Sequence, residues 1–328
     1  MTFNQDIDFS FSLLPARINL SFWNSGLTPP VAKCKGKCTE QKLDLALQVI
    51  DELVSRSHIV GICELYSDNI VHISKHLGIT HPSYKILDLV KATSGSQIGQ
   101  SWFDFGLIYN ADRFTVSFES AITARFSGQE KLRAGLMVKV TEISNGNIFC
   151  IYLCHWQSRL SGNEKERIAK ATRIADLALE QVEKGNQVIA MGDFNDEPAN
   201  ESLLSYMLAS KCYSAVRKKP ESFFYNPFAR VAYSAQPYCY MKNKTPKIVG
   251  SYYHASTAKQ PQCYYMFDQI VFSSCFVTDK GPWYLDEQES KVLELPIIKN
   301  ELEKSKRTFD HYPVFSSIIN PIFHKAKL

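Results

Sequence analysis

Along this chain, short runs of consecutive apolar residues alternate with stretches in which apolar positions recur every three or four residues. In EQKLDLALQVIDELVSR, the residues Leu43, Ala46, Leu47, Ile50, Leu53 and Val54 share one helical face, with Thr39 placed to cap the first turn. In NEKERIAKATRIADLALEQVEKG, the residues Ile168, Ala171, Ile174, Ala175, Ala178 and Val182 do the same, with Asn163 as cap, acidic residues early and Gly185 at the end. The runs ARINLSFW, HIVGICEL, FDFGLIYN, AGLMVKVTEI, NIFCIYLCHW, QVIAMGDF, MFDQIVFS and YPVFSSII read as strands, several apolar at nearly every position and hence covered on both faces. Such strands alternating with amphipathic helices predict an α/β protein with sheets buried between helices. Nothing resembling a linker or repeat interrupts the pattern, so one domain is expected over residues 1–328, with a short N-terminal extension at 1–16.

Composition narrows the class. The 328 residues are 45% hydrophobic and 21% charged with a net charge of +4, which excludes disorder, collagen and a disulfide-stapled miniprotein. A chain of this length buries roughly 75% of its unfolded surface, enough for two or more packed layers. The longest apolar run, Ile148 to Cys154, is seven residues, far short of the ~20 of a membrane-spanning helix. Asp6 and Asp8 stand where a secretory signal would carry Lys or Arg, and the nine cysteines are odd in number and scattered. A reducing, cytoplasmic location is expected. Cys34 and Cys38 lack a second ligand pair at zinc-finger spacing and read as loop thiols; Cys150 and Cys154 read as core.

The segment from Lys211 to Lys247 differs from the rest. Lys211, Arg217, Lys218, Lys219, Arg230, Lys242, Lys244 and Lys247 face only Glu221, and aromatic residues are interleaved with them. Cations neutralise phosphates and aromatic faces stack on unpaired bases, so Arg217, Lys218 and Lys219 are candidate nucleic-acid contacts; a solvated loop with its rings in the core is the competing reading.

Polar side chains also interrupt the apolar runs at their ends: Asn24 after INLSFW, Glu64 after HIVGIC, His155 after IFCIYLC, and Asp193 and Asn195 in VIAMGDFN. Each emerges from a buried strand, where desolvation is costly unless a metal, partner or substrate compensates. In MGDFNDEP, Gly192 is read as permitting a tight exit from the strand, and Asp193 beside Asn195 suits orienting a water next to a phosphate oxygen. In FDHYPVF and MFDQIVF, Asp268 is the expected partner that keeps His311 protonated, while Asp310 is left for a metal. Asn24, Glu64 and Asp310 offer oxygen donors, the chemistry of Mg²⁺ or Mn²⁺.

Together SFWN, ICE, CHWQSR, MGDFNDEP, GSYYH followed by FDQIVFS, and DHYPVF resemble, in that order, the endonuclease/exonuclease/phosphatase superfamily. The resemblance implies a four-layer α/β sandwich, two mixed β-sheets packed face to face with helices outside. It further implies that Glu64 is the principal metal ligand with Asn24 and Asp310 nearby, that Asp193 orients or deprotonates water, and that Asn195 holds the scissile phosphate. Asp268 and His311 would form the carboxylate–imidazole pair, His155 a second histidine oriented by Asp104, and Ser158 and Arg159 phosphate contacts. Phe309 departs from the serine common before the Asp-His pair, and Gln269 after Asp268 is a bacterial-type variant.

The expected activity is a Mg²⁺- or Mn²⁺-dependent phosphodiesterase hydrolysing nucleic acid, a DNA endonuclease first of all, by in-line attack of water. The alternatives are a phosphoesterase on inositol phosphate, a lipid head group or another small ester, and, from a different class, an inert nucleic-acid-binding scaffold.

Overall fold

The computed structural model describes residues 16–35, 38–96, 98, 101–126, 130–159, 163–234, 250–255, 262–302, 304 and 307–321. Two mixed sheets carry the chain. The first has the order β14-β15-β1-β2-β4-β3, built from β1 (Ala16–Asn24), β2 (Ile59–Cys63), β3 (Tyr84–Asp88), β4 (Gly106–Asn110), β14 (Tyr284–Val292) and β15 (Val314–Asn320). The second runs β5-β6-β7-β8-β13-β10-β9, from β5 (Phe114–Phe126), β6 (Glu130–Glu142), β7 (Ile148–His155), β8 (Gln187–Asp193), β9 (Ala209–Ser210), β10 (Phe224–Tyr225) and β13 (Asp268–Ser273). A small hairpin pairs β11 (Tyr252–Tyr253) with β12 (Tyr264–Tyr265). The helices are α1 (Glu40–Val54), α2 (Ser67–Thr80), α3 (Leu89–Ala92), α4 (Glu164–Glu183), α5 (Tyr213–Lys218), α6 (Phe228–Ala232) and α7 (Pro296–Leu302).

Side-chain alternation explains the layers. Ile18, Leu20 and Phe22 of β1 meet Ile151, Leu153, Ile189, Met191, Ile270 and Phe272 of the other sheet in one buried cluster. The intervening Trp23, Val60 and Ile62 turn outward onto α1, α2 and α7, whose Ile50, Leu53, Ile73 and Ile298 complete a second cluster. On the far side, Tyr152, Val188 and Ala190 pack against Ala171, Ile174 and Ala178 of α4. The result is the four-layer sandwich expected from the resemblance. No helix among the described residues is long and apolar enough to cross a membrane.

Local signals act largely as the sequence predicts. Thr39 caps α1 by accepting from Lys42 N, and Asn163 caps α4 by accepting from Glu166 N. Gly185, at φ +83°, closes α4 in a conformation that favours glycine. The face that α4 buries differs from expectation by including Arg167 and Lys170, and Arg167 reaches a buried carboxylate behind the active site.

Gly192 has a different reason from the one its sequence context suggests. It lies inside β8 rather than in a turn, and a Cβ there would sit 2.0 Å from Cys154 O on the neighbouring strand. Gly192→Ala is therefore expected to destabilise the protein by about 3 kcal/mol or more. Gly78→Ala, on α2 with no atom within 4 Å of the added Cβ, is expected to gain about 0.5–1 kcal/mol. Urea unfolding midpoints check the contrast, and equal midpoints for the two variants would contradict it.

Candidate active site

The same alternation that builds the core delivers polar groups to one end of it. Continuing the inward positions of β1, β7 and β8 by one step gives Asn24, His155 and Asp193, and the first inward position of β13 is Asp268. Register aligns three of them in a row, because β7 and β8 pair His155 with Asp193, and β8 and β13 pair Asp193 with Asp268. Adjacent members of that row are about 4.8 Å apart along the sheet. Glu64 is the exception. Its even number would send it outward with Val60 and Ile62, but a φ of +58° turns it into the gap, where its Oε1 accepts from Asn24 Nδ2 at 3.2 Å. Asn195 has a similarly left-handed φ of +50°, and its backbone N–H closes a turn onto Asp193 Oδ1 at 2.9 Å.

Two carboxylate–imidazole pairs cross from sheet to sheet. Asp104, just before β4 in the first sheet, holds His155 of the second through Nδ1 at 2.7 Å. Asp268 of the second sheet holds His311, just before β15 in the first, also through Nδ1 at 2.7 Å. Both Nε2 atoms then face Asp193 Oδ2, from 4.0 Å for His155 and 3.8 Å for His311. Asp104 is fixed in turn by Glu64 N–H at 2.9 Å and by Arg133 Nη1 at 3.0 Å, and Arg133 also donates to Trp102 O.

Charge follows from this geometry. Burial favours a neutral His155, but Asp104, with Asp193 and Glu64, outweighs it and holds the imidazole up at about 8. Burial likewise opposes a charged His311, yet Asp268 and Asp193 raise it well above the usual histidine value. Asp104 is desolvated, which would raise its pKa, but His155 and Arg133 bring it below the ordinary carboxylate range. Burial and the neighbouring Asp268 raise Asp193, and burial raises Glu64.

The donor set suits a hard divalent cation. Glu64 Oε1 accepts from the Asn24 amide and lies 3.7 Å from His155 Nε2, and Asp310, half-exposed, has its Oδ1 4.0 Å from His311 Nε2 across the same cleft. The tightest groupings of ligand-type atoms, Cys63 with Asp104 and His155, and Asp193 with Asp268 and His311, are less suitable. Their imidazole and carboxylate atoms are already hydrogen-bonded to each other. Counted formally over these ion pairs alone, with both histidines protonated, the carboxylates of Glu64, Asp104, Asp193, Asp268 and Asp310 outnumber the cations Arg133, His155 and His311, a balance that favours a bound cation; Arg159 of the same cleft is engaged by Asp196. Asn24 lies in the same cleft, hydrogen-bonded to its neighbours. Its Nδ2 bridges Glu64 and Asp193, at 3.2 and 3.0 Å, and its Oδ1 accepts from Gly26 N at 3.1 Å.

A cleft of about 190 Å³ gathers Asn24, Glu64, His155, Ser158, Arg159, Asp193, Asn195, Asp310 and His311. Asn195 Nδ2 donates to Trp156 O at 3.0 Å. The basic segment behaves otherwise. Arg217 and Lys218 end α5 and Lys219 follows it, beside β10, which pairs with Phe272 and Ser273 at the far end of β13. That end is roughly 17 Å along the strand from Asp268. The short strands β9 and β10 add to the sheet away from the site, so these three residues do not line the cleft; residues 235–247 of the segment lie outside the described residues. Phe309 is a core ring, edge-on to Trp23 at 5.3 Å.

Several contributors had no role assigned from sequence. Arg133 sits mid-strand with no local signal. Asp196, within MGDFNDEP, accepts from Arg159, Arg167, Asn200 and Ser202. The motif GSYYH proves to be a strap between the sheets: Ser251 Oγ accepts from Asp268 N at 2.8 Å, Ser251 O accepts from Tyr312 N, and Tyr253 N donates to Asp310 O at 2.8 Å. Only glycine fits at its start, because a Cβ on Gly250 would lie 2.8 Å from the Tyr265 backbone.

Solved structures share this architecture. An endonuclease/exonuclease/phosphatase family protein from Bacteroides thetaiotaomicron superposes with a TM-score of 0.57 at 14% identity, covering 94% of this chain and 99% of the other. The mannosyl-6-phosphatase of the same organism gives 0.55 at 14% identity over 92% and 99%. D. rerio TDP2 complexed with single strand DNA product gives 0.51 at 14% over 92% and 99%. Such identities speak for the fold. No curated protein matches the sequence. A family model described as Endonuclease/Exonuclease/phosphatase family matches residues 27–317, and with nearly the whole chain so matched, the protein belongs to that family.

Proposed function

We propose that the protein is a metal-dependent phosphodiesterase that hydrolyses nucleic acid, with DNA as the first substrate to test. The observation that carries this reading is the pair of sheet-crossing imidazoles converging on one buried carboxylate, Asp193, beside the oxygen donors of Glu64 and Asp310. Family membership supports phosphoester hydrolysis, and the TDP2 complex with a DNA product shows that one protein of this fold handles nucleic acid.

In this mechanism Asp193 orients a water through Oδ2 and takes its proton, a task favoured by a carboxylate pKa raised by burial and Asp268. His311, held cationic by Asp268, opposes the charge that builds on the phosphoryl oxygens. His155, held cationic by Asp104, lies across from it to assist the departing oxygen. Asn195 and Ser158 border the space where the phosphate would sit. Glu64 and Asp310 would hold a Mg²⁺ or Mn²⁺ ion, with Asn24 setting the Glu64 carboxylate. When bound, the ion supplies Lewis-acid stabilisation of phosphate charge. A second reading, hydrolysis of a small phosphoester, is favoured by the modest size of the cleft, about 190 Å³, and by the fold likeness to a mannosyl-6-phosphatase.

Chelation with EDTA should abolish cleavage of single-stranded and duplex DNA and added Mg²⁺ or Mn²⁺ should restore it. Asp193→Asn should lower kcat by roughly 10²–10⁴-fold with an unchanged thermal melt. Cleavage that persists in EDTA, or near-normal kcat in that variant, contradicts the assignment. If His155 acts in its protonated form, kcat/KM falls as pH rises through about 8. Asp104 is what opposes the effect of burial there, so Asp104→Asn should move this alkaline limb to lower pH; a limb that stays in place removes His155 from the acid role.

A further inference from the structure

One wall of the cleft carries chemistry that hydrolysis does not use. Tyr252, His254, Tyr265, Phe267 and Arg159 line it, in the same cleft as Asp193 and His311. Phe267 is buried and stacks against Tyr252 at 5.2 Å and 15° and against Tyr265 at 5.2 Å and 26°, so the two half-buried tyrosines rest on a fixed ring. The Arg159 guanidinium lies over the same surface, 4.9 Å from the centre of Phe267 and 5.9 Å from that of Tyr265. It is pinned there by Asn195 O and Asp196 Oδ1, each at 3.1 Å. The neighbouring His254 keeps its Nδ1 without a partner among the described residues.

Aromatic faces left beside water gain most from another flat ring; a phosphate or a sugar hydroxyl gains little from them. The wall also begins at the reaction centre, since the Tyr252 ring lies 4.7 Å from that of His311. A group carried one sugar away from the scissile phosphate is therefore within reach of it. We propose that Tyr252, Tyr265 and Arg159, backed by Phe267, form a subsite for a planar aromatic group carried next to the scissile phosphate, namely a nucleobase. The choice of nucleobase over another flat ring rests on the nucleic-acid reading above.

The test separates the two proposals. In full-length chain carrying Asp193→Asn to prevent turnover, with Mg²⁺ present, calorimetry compares thymidine 5′-monophosphate, 2-deoxyribose 5-phosphate and O-phosphotyrosine amide. The nucleotide should bind at least about tenfold more tightly than the base-free sugar phosphate, equivalent to about 1.4 kcal/mol, and more tightly than the phenol ester. Tyr265→Leu should bring the nucleotide-to-sugar-phosphate ratio toward one, and Tyr265→Trp should preserve it. Upfield ring-current shifts of the thymine protons, read without any change to the wall, give the same answer should Tyr265→Leu fail to fold. Equal affinities for nucleotide and sugar phosphate, an unchanged ratio in Tyr265→Leu, or unshifted thymine protons overturn the subsite, and preference for phosphotyrosine amide overturns the nucleobase. Nucleotide binding by a chain that cleaves no nucleic acid with any metal would overturn the proposed activity and leave the subsite standing.

Discussion

Charged side chains enter the interior of a protein only when other charges or hydrogen bonds replace the water they lose. Here that constraint is met by two carboxylate–imidazole pairs, Asp104 with His155 and Asp268 with His311, each with its members on opposite sheets. Because the pairs cross the gap, the charges proposed to do the chemistry also tie the two sheets together at that end. Asp193, between the two imidazoles, occupies the one position where a carboxylate faces both Nε2 atoms. Losing Asp104 or Asp268 leaves a buried imidazolium without its hydrogen-bonded carboxylate, so each pair stands or falls together.

How much of this was legible in the sequence depends on burial. Strands β1, β2, β7, β8, β13 and β15 lie within the sheets and read clearly, because both faces are apolar. Strands β3, β5 and β14 escaped notice, and each lies at the edge of a sheet. There one flank meets solvent and the sequence turns polar: β14 reads YLDEQESKV and β5 alternates buried and exposed positions. The site divides in a similar way. Asn24, His155, Asp193 and Asp268 were legible because a polar residue at an inward strand position stands out against an apolar run. Asp104 and Arg133 come from a loop and a strand with no such contrast, and Asp104 was reached only through resemblance. Arg217, Lys218 and Lys219 stand apart from the cleft because proximity in sequence to Asn195 and Asp268 does not carry across β9 and β10, which lead the chain to the other end of the sheet.

The strap formed by residues 250–254 connects these levels. Glycine permits its approach to β12, serine and the backbone tie Asp268 to the segment that carries Asp310 and His311, and Tyr252 covers the His311 ring. One short motif thereby links the geometry of the catalytic pair to the aromatic wall of the cleft. In the proposed reading, substrate choice and charge placement would be set by the same few residues.

The central claim is that buried carboxylates keep both imidazoles cationic and aimed at one point. It is tested most directly by nitrogen NMR of the ring atoms of His155 and His311 in the metal-free protein at pH 7. The account predicts that both rings carry protons on Nδ1 and Nε2, with His155 titrating near 8 and His311 well above the ordinary histidine value. Neutral rings at that pH would contradict it.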